Sequence, residues 1–123
     1  MSSVSSIAAS GLAAATLRLE VSASTIANAS SNGGGDGAPR SYVPKKVIQK
    51  AEAGGGTAAT VASLPAGYSP RYDAGGSNGG TSANVNIAYE LEQQIMARFG
   101  FAVNVQVLKA DARAVAAFLD ITA

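Results

Sequence analysis

The sequence has no cysteine, no histidine and no tryptophan. Without cysteine there is no disulfide and no thiolate metal ligand. With histidine absent as well, the Ser-His-Asp and Cys-His arrangements that activate nucleophiles cannot be built. Large apolar side chains are scarce: there are three Phe and four Tyr in 123 residues, and much of the 47% hydrophobic fraction is alanine. Burial yields roughly 25 cal/mol per Å², while ordering the backbone costs about 1–2 kcal/mol per residue. A chain of this composition is expected to need a partner surface, or copies of itself. Neither sign of charge dominates, with nine basic and eight acidic residues and a net charge of +1. A nucleic-acid binder concentrates Lys and Arg on one face. The densest cluster here, Lys45, Lys46 and Lys50 with Arg40 nearby, reads as a solvated face, and no nucleic-acid partner is expected. The N-terminus lacks the basic start and apolar core of a cleavable signal. No stretch approaches the ~20 apolar residues of a membrane span. Export by a machine that reads an uncleaved N-terminus stays open.

What is present falls into three zones. Residues 1–30 are Ala/Ser-rich, and Ala8, Leu12, Ala15, Leu19, Ala23 and Ile26 recur every three or four positions, one stripe on an α-helix. Ser3 or Ser5 is the candidate N-cap. Residues 31–83 hold all four prolines and the clusters Gly33-Gly34-Gly35, Gly54-Gly55-Gly56, Gly75-Gly76 and Gly79-Gly80, the composition of loops and turns. Within them Tyr42 to Ile48 and Thr57 to Leu64 read as two strands of a loose hairpin, with Pro44 placing the first at an edge. Residues 84–123 return to helix, with Ile87, Leu91, Ile95, Phe99, Ala102, Val105, Leu108, Ala112, Val115 and Leu119 forming a stripe on a rod of roughly 50 Å. Gly100 is the one weak point of that helix and a candidate for close helix packing. The expected fold is mainly α: the two terminal helices pair as an antiparallel coiled coil around a Gly-rich irregular middle. Two helices cannot cover both their apolar faces, so the uncovered surface predicts assembly.

No site for chemistry emerges. Glu90 and Glu92 stand two apart on a helix and point in different directions, so they make no metal site. Gly33 to Gly37 is followed by Ala38-Pro39-Arg40, which supplies neither the lysine nor the helix start of a phosphate-binding loop. Serines are many, but no motif pairs one with a lysine. No catalytic residue, metal or cofactor is expected, and no small-molecule substrate.

Residues 10–29 read Ser-Gly-Leu-Ala-Ala-Ala-Thr-Leu-Arg-Leu-Glu-Val-Ser-Ala-Ser-Thr-Ile-Ala-Asn-Ala. They resemble the N-terminal signature of the flagellar axial proteins, the rod and hook subunits: Leu12, Arg18, Leu19, Val21, Ala23, Ser24, Ile26, Ala27, Asn28 and Ala29 match it. Thr25 stands where that family usually has asparagine. The second likeness is Asn84-Val85-Asn86, continuing through Glu90, Leu91 and Ile95 to Phe101 and Asn104, then Val107 and Leu108. It is similar to the C-terminal helix of the same family. Val103 replaces the usual alanine before Asn104, and Phe99 stands where an arginine is usual. Tyr42 with Lys45 to Ile48, and Tyr68-Ser69-Pro70-Arg71-Tyr72-Asp73, are fainter likenesses to proximal-rod members.

The resemblance implies a structural subunit of the bacterial flagellar basal body. Such subunits pass a type III export channel largely unfolded and pack their terminal helices into a hollow periplasmic drive shaft that transmits torque. The implied partners are other rod subunits, membrane-ring and export-gate components, and copies of the chain itself. The implied interface residues are Leu12, Arg18, Leu19, Ile26, Asn28, Asn84, Asn86, Leu91, Ile95, Phe101, Asn104, Leu108, Val115 and Leu119. Asn28 also suits a helix end, because asparagine tolerates left-handed backbone. Asn104 sits mid-helix among apolar neighbours, where an amide is unfavourable unless it is bonded, and an inter-helix contact is expected for it. The competing readings are a secreted helical-hairpin interaction protein of another export system, and a membrane-active amphipathic peptide. The long spacer speaks against the first, and the single arginine of residues 3–30 against the second.

Overall fold

The computed structural model describes residues 3–31, 42–64 and 85–122. It is mainly helical. Helix α1, Ser3–Ala27, is followed by strands β1, Lys45–Ala51, and β2, Thr57–Ser63, and then by helix α2, Ile87–Thr122. The strands form a two-stranded antiparallel sheet in which Lys45 faces Ser63 and Ala51 faces Thr57. Helix α2 packs on α1, and both strands also pack on α1. The sequence-predicted first strand is shifted: Tyr42 to Pro44 lie before it, and Gln49, Lys50 and Ala51 extend it. Pro44 offers no N–H to the ladder, but its carbonyl accepts the Leu64 N–H at 2.9 Å. Asn84, Arg40, the Tyr68–Asp73 segment and three of the four glycine clusters lie outside the described residues.

Helix α1 is built from Ala, Leu and Ser, and its serine hydroxyls fold back on the backbone, as Ser6 Oγ does on the Ser3 carbonyl at 2.9 Å. At its end the Asn28 amide donates to the Ser24 carbonyl at 2.8 Å, and Asn28 N–H reaches the same carbonyl at 3.1 Å. Asn28 thus stops the helix, but by side-chain capping. Among the described residues no non-glycine residue has a positive φ, so the expected left-handed backbone is absent there. By length and composition α1 is also apolar enough to cross a membrane, against the sequence expectation. In the fold it carries both α2 and the sheet, although only 17% of its most apolar stretch is buried.

Between the strands Gly55 and Gly56 adopt φ of +84° and +94°, the region that favours glycine. They also let the turn touch α1. A β-carbon on Gly55 would fall 2.9 Å from Ile7 Cδ1, and one on Gly56 would fall 2.5 Å from Ser10 Oγ. The same Ser10 hydroxyl accepts the Thr57 N–H at 3.1 Å. Arg18 donates to Gln49 Oε1 at 2.8 Å further along, and Thr25 Oγ1 lies 3.2 Å from Tyr42 Oη. Residues 7, 10, 18 and 25 therefore mark the face of α1 that holds the sheet.

The core is made of small residues. Ala8, Ala14, Ala15 and Ala97 are its buried apolar members, joined by buried Ser22, Thr25 and Glu90. This corrects the expected stripe: Ala8 and Ala15 are buried, Leu12, Leu19 and Ile26 only half-buried, and Ala23 exposed.

Candidate assembly interface

Three cross-helix contacts fix the pairing of α1 with α2. Near the start of α1, the Ser5 hydroxyl donates to the Asp111 carboxylate. At its middle, Gly11 lies against Asn104. Towards its end, the Ser22 hydroxyl donates to the Glu90 carbonyl at 2.8 Å. Rising numbers on α1 meet falling numbers on α2, so the helices run antiparallel.

The seam has a seven-residue rhythm on both helices. Ala8, Ala15 and Ser22 are buried on α1; Glu90 and Ala97 are buried on α2, followed at the same interval by half-buried Asn104 and Asp111. These residues are small or polar, and they let the helices come close. Asn104 shows how close: a β-carbon on Gly11 would fall 2.7 Å from its Oδ1 and 2.8 Å from its Nδ2. The amide nitrogen is satisfied within its own helix, donating to the Gly100 carbonyl at 2.8 Å. The bond expected for Asn104 across the helices is made within α2 instead, and across the seam its amide packs on Gly11. Gly100, expected as a close-packing position, has open space beside it: a β-carbon there would meet nothing within 4 Å. The close-packing glycine is Gly11.

Glu90 is 4% exposed, in the first turn of α2. Burial pushes its carboxyl above the ordinary glutamate value, and the adjacent Ser22 hydroxyl offsets part of that rise. Arg18, Lys45 and Lys46 line the same cleft of about 50 Å³, with Val47, Tyr89 and Gln93. A space of that size suits a water or two, far below the hundreds of Å³ of a ligand site. Among the described residues no group of three acidic or metal-ligating side chains gathers.

The large apolar side chains lie elsewhere. Ile95 is 69% exposed, Phe99 71% and Phe118 73%; Ile87, Leu91, Phe101, Val115 and Leu119 are exposed too. Most of the expected α2 stripe is therefore outside the intramolecular seam, and only Val105 and Leu108 are half-buried. Helix α2 also outruns its partner: it continues to Thr122 beyond Asp111, whereas α1 has two described residues before Ser5. Arg18 reaches Gln49 and so braces the sheet. Asn86 caps α2, its Oδ1 accepting the Tyr89 N–H at 3.1 Å. Sequence reasoning missed Ser5, Gly11, Ser22, Glu90, Ala97 and Asp111 as seam residues; the seven-residue spacing was the available signal. Comparison with protein-family models and with curated proteins finds no match.

Proposed function

We propose that this chain is a structural subunit of the bacterial flagellar basal-body rod, of the proximal kind, which polymerises through its terminal helices and catalyses nothing. The observation that carries the reading is where the side chains of different size lie. Small residues fill the seam between the helices, while Ile95, Phe99 and Phe118 stay more than two-thirds exposed. A chain with its largest apolar groups on one long helix is suited to bury them against neighbours. The seven-residue spacing on both helices supports an antiparallel coiled coil, since that spacing keeps one face of each helix turned to its partner. The connected antiparallel strands then form the small hairpin of the middle zone.

In this reading subunits pass an export channel and stack by heterologous, non-closing contacts into a hollow periplasmic tube. Their neighbours are other rod subunits, the membrane ring and the export gate. The secreted helical-hairpin alternative is weaker, because the sheet is seated on α1 through Ile7, Ser10 and Arg18. The test is deletion of the gene, with imaging of membrane-extracted basal bodies and a swimming assay. Basal bodies that stop at the membrane ring, with motility restored by the wild-type gene, are the expected result. Intact rods and normal swimming would defeat the reading.

A further inference from the structure

The two edges of the sheet differ, and the difference points to a partner. Leu64 N–H donates to the Pro44 carbonyl at 2.9 Å, and Glu52 N–H to the Gly56 carbonyl at 3.3 Å. With the observed register, the hydrogen-bonded pairs are therefore Lys46 with Ala62, Ile48 with Thr60 and Lys50 with Ala58. The odd-numbered residues of β2 turn their backbone groups away from β1. Thr57 N–H is taken by Ser10 Oγ. Ala59, Val61 and Ser63 turn theirs to the outer edge, where no described residue takes them.

Natural sheets protect open edges with charge, lysine above all. Strand β1 carries Lys45, Lys46 and Lys50, whereas β2, Thr-Ala-Ala-Thr-Val-Ala-Ser, carries no charge, proline or glycine. The β2 sequence is nearly symmetric about Thr60. Read against its own reverse, it sets Thr57 against Ser63, Ala58 against Ala62 and Ala59 against Val61. Hydroxyl meets hydroxyl, a pairing that favours strand association, and the small residues between them put no bulk in the way. Odd-numbered residues oppose odd-numbered ones, so the outward backbone groups of Ala59 and Val61 meet in register, while Thr57, whose N–H is held by Ser10, stays outside the bonded pairs.

We propose that β2 pairs antiparallel with β2 of a second copy of this chain about a two-fold axis, with Thr60 opposite the partner's Thr60 and Ala59 opposite the partner's Val61. The product is a four-stranded sheet whose outer edges are the lysine-bearing β1 strands. A two-fold contact closes at the dimer and builds no filament. The proposal is thus separate from helix-mediated assembly and does not rest on the rod reading.

The test uses the full chain in sedimentation equilibrium across a range of concentrations. The mass should rise from 12.2 kDa towards twice that value. Thr60→Lys and Thr60→Glu change an exposed side chain and leave the Ile48 pairing in place. Each alone should weaken association several-fold by setting like charges opposite each other, with the helical circular dichroism unchanged. An equimolar mixture of the two variants should restore the dimer. Phe99→Asp, on the exposed face of α2, should leave it intact. A monomer at every concentration, a mixture that fails to dimerise, or a dimer lost with Phe99→Asp but kept with Thr60→Lys would overturn the proposal.

Discussion

Asn104 of α2 lies flat over Gly11 of α1, so close that a β-carbon on Gly11 would fall 2.7–2.9 Å from three atoms of the amide group. Asn104 is held there by its own bond to the Gly100 carbonyl, which it would have to break to swing aside. Gly11→Ala brings two opposed effects. The helix gains about 1 kcal/mol from replacing glycine in its interior, and the seam loses about 1–3 kcal/mol to overpacking. The contact is short enough for the loss to win, and the variant should melt at lower temperature. Asn104→Ala removes the obstacle, so Gly11→Ala made in that background should stabilise. A double-mutant cycle of thermal or denaturant melts measures the coupling directly.

Gly100→Ala should do the opposite in the wild-type background. Nothing stands within 4 Å of the added methyl, and α2 gains about 1 kcal/mol in helix propensity. A raised melting temperature in dilute solution is the expected outcome. A lowered one would mean that a neighbour occupies the space beside Gly100 even in the purified protein.

These two glycines show what was legible in the sequence. Element types and their order follow from local signals: alanine-rich helices at both ends, β-branched runs between glycines, and Asn86 and Asn28 at helix boundaries. On α1 the apolar stripe already holds the buried Ala8 and Ala15, but the pairing face of α2 does not follow, because large apolar side chains dominate its periodicity. Leu91, Ile95 and Phe99 form the more conspicuous stripe, yet the seam is built from small and polar residues. Ala8, Ala15 and Ser22, with Glu90, Ala97, Asn104 and Asp111, repeat every seven positions, but alanine and polar residues carry little hydrophobic contrast. Arg18, matched as an interface residue, also donates to Gln49, a contact 31 residues away that no local pattern encodes.

Glu90 gives the fold a pH dependence. Its carboxyl titrates higher in the folded chain than in the unfolded one, chiefly through burial, so the folded state binds the proton more tightly. By linkage, stability grows as pH falls from above the raised value towards the ordinary glutamate value, and it is lost again as pH rises. Glu90→Gln keeps the shape and removes the charge. It should raise the melting temperature at neutral pH and flatten the slope of stability against pH in the weakly acid range. Melts of both proteins across that range check the sign, and an unchanged slope would refute it.

The turn that seats the sheet on α1 has little freedom. Gly56→Ala combines a φ of +94° with a β-carbon 2.5 Å from Ser10 Oγ, and it pushes away the hydroxyl that accepts the Thr57 N–H. Left-handed backbone at a non-glycine residue costs about 1–3 kcal/mol. Gly54→Ala meets nothing within 4 Å and has no such φ. The first variant should be clearly destabilised and the second within about 0.5 kcal/mol of wild type. Equal losses would show that the turn tolerates both positions alike.

Assembly and folding are separable on α2, because its largest apolar residues lie outside the seam. Leu108 is half-buried, so Leu108→Asp would disturb the helix pair and any interface together. Phe99 is 71% exposed, and Phe99→Asp should cost the isolated chain less than about 0.5 kcal/mol, as at an ordinary surface site. In a polymer that buries the aromatic ring the same change is severe, since truncating a buried aromatic anchor costs about 2 kcal/mol or more per interface. The expected result is a chain that folds and is exported normally but leaves cells non-motile, with basal bodies that lack a complete rod. Ile95→Asp should behave alike. Normal swimming in both variants would show that this face of α2 meets solvent in the cell, and the rod reading would lose the observation that carries it.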